Sequence, residues 1–596
     1  MSPLLNQITA PLGDSALFGA LRSVRDALPN WTGHPVAVAA WWILGTVTAL
    51  AFFLYPYQYL RCTFKTLPGP PRTSVFFGNA FESMEGEPGV QHTAWLNKYG
   101  KHVRLHGIGG RSTLLTADIT TIGYILQHSY DFPKPAFGSN LLGPLLGWGL
   151  LIAEGADHRR QRRVVQPVFG PAHVKLMIPV FLQKSYVLAK MWNDLIDSKG
   201  DPVKAGLEAS DFAAPNPGTA ADIKAAGDDG LKIDTLRFFN RLALDILGVA
   251  GMNSDFDSLR KSNNKLSNSY NDIIAAVHAM TPMLLLETLF PILRKLIPTE
   301  RNRTVTKNVA VTKEESNKLL QAKKKRILGE KQGILAPTDV DKDILSLLIR
   351  SNTSAEVPDD QRLNDDEVLA QVTTLLFAGH ETTSTGLGFL VARLAANPDV
   401  QQKLFEEVSQ YPEEMPDFDQ LNSLTYLDHV VHEVLRVDSP VMMTIRVPDK
   451  DCILPVGQPI VGTDGKLIES ISVRKGTNIY IELGYVNNSP EVWGPDAAEF
   501  NPDRHDRPPL EKVPGVYGNL LSFLGGARNC IGYRFAVTEM KAATFVLARN
   551  FKFEPLPSKP PIKREWMVVQ RPLVETETKY GPQMPLLVRK RHAHEL

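Results

Sequence analysis

Val36 to Leu54 (VAVAAWWILGTVTALAFFL) is a run of nineteen residues without a charge. A helix rising ~1.5 Å per residue carries such a run across most of a hydrocarbon core ~30 Å thick, and in lipid a helix satisfies every backbone group internally. The run is predicted to be a membrane anchor. A cleaved signal peptide is the competing reading, but such a signal does not begin about thirty-five residues into a chain, and its apolar stretch is shorter. Arg61, Lys65 and Arg72 follow the run, whereas Asp14, Arg22, Arg25 and Asp26 cancel before it. The downstream side is therefore predicted to face the cytosol.

Bulk charge excludes one class of partner. Lysine plus arginine total 65 against 64 for aspartate plus glutamate, which leaves no electrostatic reason to expect nucleic acid. The three cysteines, Cys62, Cys452 and Cys530, are too few and too scattered for a disulfide framework or a four-sulfur metal site. Each thiol needs its own explanation. Leu67-Pro68-Gly69-Pro70-Pro71 is held extended by its prolines and is predicted to be a stiff spacer. His102 to Asp118 reads as two strands joined at Gly109-Gly110. Asn364, with Glu367 three residues later, starts a helix whose apolar periodicity runs to Ala396 and stops at Asn397-Pro398. Residues 199–230, rich in Asp, Ala, Gly and Pro, read as a surface insertion. Asn30-Trp31-Thr32 is a glycosylation acceptor pattern, and the terminal Ala593-His594-Glu595-Leu596 only partly matches a retrieval signal of the endoplasmic reticulum.

The most informative stretch is Phe523-Leu524-Gly525-Gly526-Ala527-Arg528-Asn529-Cys530-Ile531-Gly532. Ile531 to Leu547 has a helical pattern, so Cys530 stands just before a helix start, where free amide donors and partial positive charge lower a thiol's pKa. Gly525 and Gly526 allow close backbone approach to a flat ligand, and Arg528 is placed to neutralise a carboxylate on it. Phe523, Gly526, Arg528, Cys530 and Gly532 together resemble the cysteine loop of the cytochrome P450 family, the haem-thiolate monooxygenases. The resemblance implies that Cys530 is the axial ligand of a haem b iron, with Phe523, Gly526, Arg528 and Gly532 around the cofactor.

Other segments agree with the resemblance. Ala378-Gly379-His380-Glu381-Thr382-Thr383 lies on the long helix and is similar to the family's oxygen-activating motif. It implies Ala378 and Gly379 beside the cofactor, room above the iron at Gly379, and Glu381 and Thr382 as the acid and alcohol that deliver protons. Glu433 and Arg436, one helical turn apart, match the family's Glu-x-x-Arg pair. Phe500-Asn501-Pro502-Asp503-Arg504 then makes Arg504 the third member of a structural group that holds the cysteine loop. The basic run from His158 to Arg163 is similar to the helix that crosses beside the haem, which implies His158 and Arg162 on haem propionates, with histidine standing where tryptophan is usual. Arg446 matches another propionate ligand.

The resemblance implies one large, mainly helical domain with small sheets, behind an N-terminal transmembrane helix. The boundaries are 1–35 for a lumenal tail, 36–55 for the anchor, 56–72 for the spacer and 73–596 for the catalytic domain. The implied reaction is oxidation of a lipophilic small molecule (a terpenoid, sterol or fatty chain) with dioxygen. Electrons would come from an NADPH-dependent flavoprotein reductase, with cytochrome b5 as a further partner, because the chain shows no nucleotide-binding pattern of its own. Arg159, Arg163, Arg534 and Lys541 form the expected docking face. Residues 137–152, 273–296 and 441–444 are apolar and are expected to line substrate access. The implied location is the endoplasmic reticulum membrane, single-pass, in the manner of fungal microsomal enzymes of specialised metabolism. Two rival functions are a haem-thiolate isomerase or dehydratase of an oxygenated lipid, and a non-enzymatic haem or lipid binder.

Overall fold

The structure is a computed structural model that describes residues 35–591 except 55, 208–217, 332–342, 354–357, 566–567 and most of 262–298. Asn30, the N-terminal tail, residues 593–596 and most of the 273–296 stretch lie outside the described residues. Among the described residues helices dominate, and four small sheets are attached to them. Helices α1 (Pro35–Leu54) and α2 (Pro56–Arg61) contain the anchor run. Among the described residues one helix is long and apolar enough to cross a membrane, Val38–Arg61, with a mean hydropathy of 1.8. It packs no core, since Trp42 and Ile43 are exposed by 68% and 64%.

The mixed four-stranded sheet has the order β1-β2-β7-β4, from β1 (His102–His106), β2 (Ser112–Thr116), β7 (Ile479–Glu482) and β4 (Met443–Arg446). β1 and β2 form the expected hairpin, and β2 runs parallel to β7. A hairpin of β5 (Cys452–Val461) and β6 (Leu467–Val473) extends beside it. The proline spacer is not a free strut between bilayer and body. Leu67 is fully buried, the Arg104 N–H donates to the Pro68 carbonyl at 2.9 Å, and a Cβ at Gly69 would lie 2.0 Å from the Arg104 carbonyl oxygen. Thr63 donates to the Ser472 carbonyl at 2.5 Å, and the Thr463 N–H to the Thr66 carbonyl at 2.8 Å. The prolines keep the segment extended, and the sheet then holds it.

The 199–230 reading needs correction at its end. Thr219 and Asp222 form a capping box that starts the helix Ala220–Ala226, and Gly230 already begins β3 (Gly230–Asp234). β3 pairs with β11 (Pro585–Lys590), which pairs in turn with β8 (Phe551–Glu554).

At the centre lies the predicted long helix, α8 (Asp365–Ala396), after α3 (Ile119–Gln127), α4 (Ala136–Leu146), α5 (Gly155–Val165), α6 (Pro171–Asp197) and α7 (Thr235–Ile246) in the chain. Its capping box is present, with the Glu367 N–H donating to Asn364 at 2.9 Å and the Asn364 N–H to Glu367 at 3.0 Å. Most side chains from Val368 to Val391 are buried, the expected state of a helix that is packed on nearly all sides. Small residues let α7 and the turn after it approach closely. A Cβ at Gly388 would stand 3.4 Å from Leu236, and one at Gly379 only 3.1 Å from Leu247. Packing against Leu247 is thus a further reason for a small residue at Gly379, besides the room for a ligand that the sequence suggests.

Glu433 and Arg436, on α9 (Thr425–Val437), are fully buried rather than on a solvated helix face. Arg436 donates to both Glu433 oxygens at 2.8 and 2.9 Å, Arg504 reaches Glu433 at 3.3 Å, and His505 and the Asn501 N–H lie at 2.9 and 2.8 Å. Burial alone would raise the Glu433 carboxyl, but the bonds from Arg436 and His505 outweigh it and hold the group at about 2. The other face of Arg436 donates to the Asn487 carbonyl at 3.0 Å. Asn487 in turn accepts the Leu521 N–H at 2.8 Å and donates to Ser522 at 2.9 Å, which fixes the start of the Phe523–Gly532 loop. The group therefore connects through Asn487 to the cysteine loop.

Because the folded value of Glu433 lies below the ordinary 4.5, its contribution is present at neutral pH and is lost as pH falls from about 4.5 toward about 2. Glu433→Gln is expected to cost on the order of 3 kcal/mol at pH 7. In denaturant unfolding at a series of pH values, the gap between wild type and variant should close across that window. A gap that stays constant down to pH 2 would contradict the assignment.

Candidate active site

The cysteine loop is folded back on itself. The Cys530 N–H donates to the Phe523 carbonyl at 2.9 Å, and Leu524 sits at φ 55°, a left-handed conformation that costs a non-glycine residue energy. Phe523 packs between Tyr517 and Tyr533, with ring centroids 5.8 and 6.1 Å away. The two glycines are explained by protein neighbours rather than by a flat ligand. A Cβ at Gly525 would lie 1.8 Å from the Pro514 carbonyl oxygen, and one at Gly526 2.0 Å from that of Leu126 at the end of α3. Gly532, which precedes α10 (Tyr533–Asn550), is different, because a Cβ there meets only Phe169 at 3.8 Å. No protein atom requires it to be glycine.

Cys530 is exposed. Desolvation pushes the thiol above its ordinary value, while the Gly532 N–H and the Arg162 charge pull it down. The expected lowering by the helix start is present but is outweighed. A thiolate at this position needs a further positive charge, and a coordinated metal ion supplies one.

Beside the loop, cations outnumber anions. Arg528, buried, is ion-paired with Glu154 and donates to the Ser129 carbonyl at 3.2 Å. Lys134, a residue with no sequence signal, meets the same Glu154 at 2.6 Å. Burial, with Arg528 and Arg446 nearby, lowers Lys134 to about 8 despite that contact. Arg446, at the end of β4, is lowered to about 10 by burial and by Arg528. His158 is buried and lies 3.2 Å from the hydroxyl of Tyr130, another residue the sequence did not single out. Burial, Arg528, Lys134 and Arg162 push it down to about 3, so its imidazole is neutral. Lys134, Arg446 and Arg528 are thus three cations around one carboxylate, and Arg162 acts on His158 from the same side as Arg528 and Lys134.

Three consecutive residues of α5 join this cluster to α8. Arg160 pairs with Glu367 in the first turn of α8, and Gln161 accepts from Gln371 at 2.9 Å. Arg162 then turns the other way and holds Asn529, donating to its carbonyl at 2.6 Å, next to Cys530.

On α8, Leu375, Ala378, Gly379 and Thr382 keep partial exposure where their neighbours are buried. The spacing of three and four residues makes them one face. Thr382 donates to the Ala378 carbonyl at 2.7 Å, which leaves its oxygen free to accept. Glu381 is buried and paired with Arg571 of β10 (Arg571–Val574), the second strand of a hairpin with β9 (Ile562–Glu565). Arg571 was not foreseen either. Leu142, Leu145, Leu146 and Ile152 form an apolar cluster with Phe377, so the 137–152 stretch lies against α8 just before Ala378.

Residues 68–577 match the family model described as Cytochrome P450. The chain belongs to the cytochrome P450 family. This P450 is 37% identical to Cytochrome P450 monooxygenase 205 of Postia placenta, over 94% of its own length and 97% of that relative's. It is 32% identical to Cytochrome P450 monooxygenase claP of Ampulloclitocybe clavipes, over 88% and 93%. Among solved structures, the heme domain of a cytochrome P450DA mutant superposes with a TM-score of 0.65 at 20% identity, covering 89% of this chain and 98% of that one, and shows the same fold.

The enzyme is a monooxygenase, an oxidoreductase whose cofactor is haem b. The residues present fit that group. Surplus cations suit its two propionates, a thiol in need of a positive partner suits its iron, and Gly532 has space that no protein atom fills.

The loop geometry makes two glycine substitutions behave differently. Gly526→Ala, at φ 67° and against the Leu126 carbonyl, is expected to cost at least ~1–2 kcal/mol and, in a domain of this size, to lower the thermal midpoint of the P450 by at least about 1–2 °C. Gly532→Ala should leave that midpoint within about a degree. Equal destabilisation by both would contradict the packing described.

Proposed function

We propose that Cys530 binds the haem iron as a thiolate and that the enzyme oxidises a lipophilic small molecule with electrons from an NADPH-dependent flavoprotein reductase. The observation that carries this reading is the set of three cations around Glu154, namely Lys134, Arg446 and Arg528, with Arg162 bonded nearby to the residue beside Cys530. Arg162, Arg528, Arg446 and Lys134 hold the propionates, and neutral His158, accepting from Tyr130, has its other ring N–H free to donate to one. When bound, a thiolate-ligated haem supplies the electron push that favours O–O cleavage.

The chain's own groups handle protons and exclude water. Glu381 carries a proton to the exposed face of α8, and Thr382, its hydroxyl fixed on Ala378, relays it toward the oxygen being reduced. Apolar residues on α4 and Phe377 keep bulk water from this path. Arg159, Arg163 and Arg534 are exposed and form the docking face for the reductase, or for cytochrome b5. Lys541 is removed from that face by the structure: it is buried and bonded to Asp428 at 2.6 Å and Asn422 at 2.8 Å. The apolar helix Val38–Arg61 supports a single-pass anchor in the endoplasmic reticulum membrane with the catalytic domain in the cytosol.

The absorption difference spectrum of dithionite-reduced enzyme with and without carbon monoxide should show a strongly red-shifted Soret band that Cys530→Ser lacks. A band at the ordinary histidine-haem position in the wild type would overturn the thiolate assignment. Reversing Arg159 and Arg163 to Glu should slow reductase-driven turnover at least tenfold and leave peroxide-driven turnover unchanged. Equal loss in both assays would remove the docking role.

A further inference from the structure

His158 stands where tryptophan is usual, and the two rings are not equivalent. An indole has one N–H and can only donate, whereas a neutral imidazole carries an N–H at one nitrogen and a lone pair at the other. A histidine is therefore a one-way donor only where its second nitrogen is engaged. Tyr130 engages it. The Tyr130 hydroxyl lies 3.2 Å from His158 Nδ1, and the two rings meet edge to face with centroids 5.7 Å apart. Among the described residues no hydrogen-bond partner meets Nε2.

The surroundings decide which way the bond runs. The Arg528 guanidinium lies over the Tyr130 ring, 5.2 Å from its centroid. A cation on that face draws electron density from the phenol, which makes its O–H a better donor and its oxygen a poorer acceptor. Tyr130 thus donates to Nδ1, and the single ring proton of His158, neutral with its value pushed down to about 3, resides on Nε2. The backbone holds Tyr130 in place from both sides. Arg528 donates to the Ser129 carbonyl at 3.2 Å, and the Asp449 and Val447 N–H groups donate to the Asp131 and Pro133 carbonyls at 3.0 and 2.9 Å. We propose that Tyr130 is a positioning residue: its hydroxyl fixes the His158 ring with the N–H at Nε2, so that a histidine serves as a one-way donor to a haem propionate, as tryptophan does. This role rests on the reading of His158 as a propionate donor.

The rate at which the full-length, haem-loaded enzyme gives up haem to excess apomyoglobin tests it, together with the propionate bending bands of its resonance Raman spectrum. Tyr130→Phe keeps the ring and removes the hydroxyl, and should speed haem loss roughly two- to tenfold, the worth of one hydrogen bond, and shift a propionate band. In a His158→Trp background the same substitution should change neither rate nor band, because an indole has no second nitrogen to engage. An unchanged rate in Tyr130→Phe overturns the proposal, and so does equal acceleration in both backgrounds, which would make Tyr130 a packing residue. If Tyr130→Phe retains no haem, the double variant decides: it must retain haem as His158→Trp does, and its failure overturns the proposal. His158→Phe separates the two readings. Unchanged haem loss in that variant removes His158 from the propionate and Tyr130 with it, whereas faster loss there beside an unaltered Tyr130→Phe removes Tyr130 alone.

Discussion

The approach to the cysteine loop hangs from one buried carboxylate. Glu433 is useful because it is satisfied: two arginines, a histidine and a backbone N–H saturate its oxygens, so the desolvation that would otherwise expel it is offset. The same Arg436 then spends its remaining donors on the carbonyls of Asn487, Ala497 and Glu499. An arginine so used is a junction between α9, the segment after β7 and the approach to the cysteine loop. The loop carries a non-glycine residue in a left-handed conformation, and a strained turn of that kind persists only where the surroundings over-determine it. Asn487 and Ser522 transmit that constraint.

The second organising element is α5, whose successive polar side chains serve different partners. Arg160 and Gln161 face α8, and Arg162 faces Asn529, so the helix sets the distance between the two elements that carry the chemistry. A helix places residues one and two apart on different faces, which is how three neighbours in sequence can join two structures without competing. Glu154, directly before this helix, gathers Lys134 and Arg528 onto the same corner.

Much of this was legible in the sequence, for reasons that differ from residue to residue. The long apolar helix near the N-terminus, the capped start of α8 and the β1–β2 hairpin follow from local rules of periodicity and capping, and each is present. Cys530, Arg528, Glu433, Arg436 and Arg504 were found through motif spacing, which records an arrangement without explaining it. For Gly525 and Gly526 the structure supplies a reason that spacing does not carry: the backbone carbonyls of Pro514 and Leu126 crowd those positions. Lys134, Tyr130, Glu154 and Arg571 had no local signature at all. Each acquires its role from a partner far along the chain, and a lone lysine or arginine reads as a solvated charge until burial is known. Lys541 failed in the opposite sense, since helical position alone does not separate an exposed lysine from one buried on Asp428.

The proline segment shows how a correct local reading acquires a different meaning from its neighbours. Its residues are extended and non-helical, as prolines require, but Leu67 is inserted into the core and Pro68 is bonded to β1. The last turn of the apolar span, at Arg61, is followed at once by Cys62, which is already buried. No flexible stretch separates the two, and the β5–β6 hairpin clasps the joint through Ser472 and Thr463. A helix crossing a bilayer has a restricted tilt, so a rigid joint passes that restriction to the body behind it. The residues that follow the apolar helix are thus held by the fold itself, and not left to the freedom of a tether.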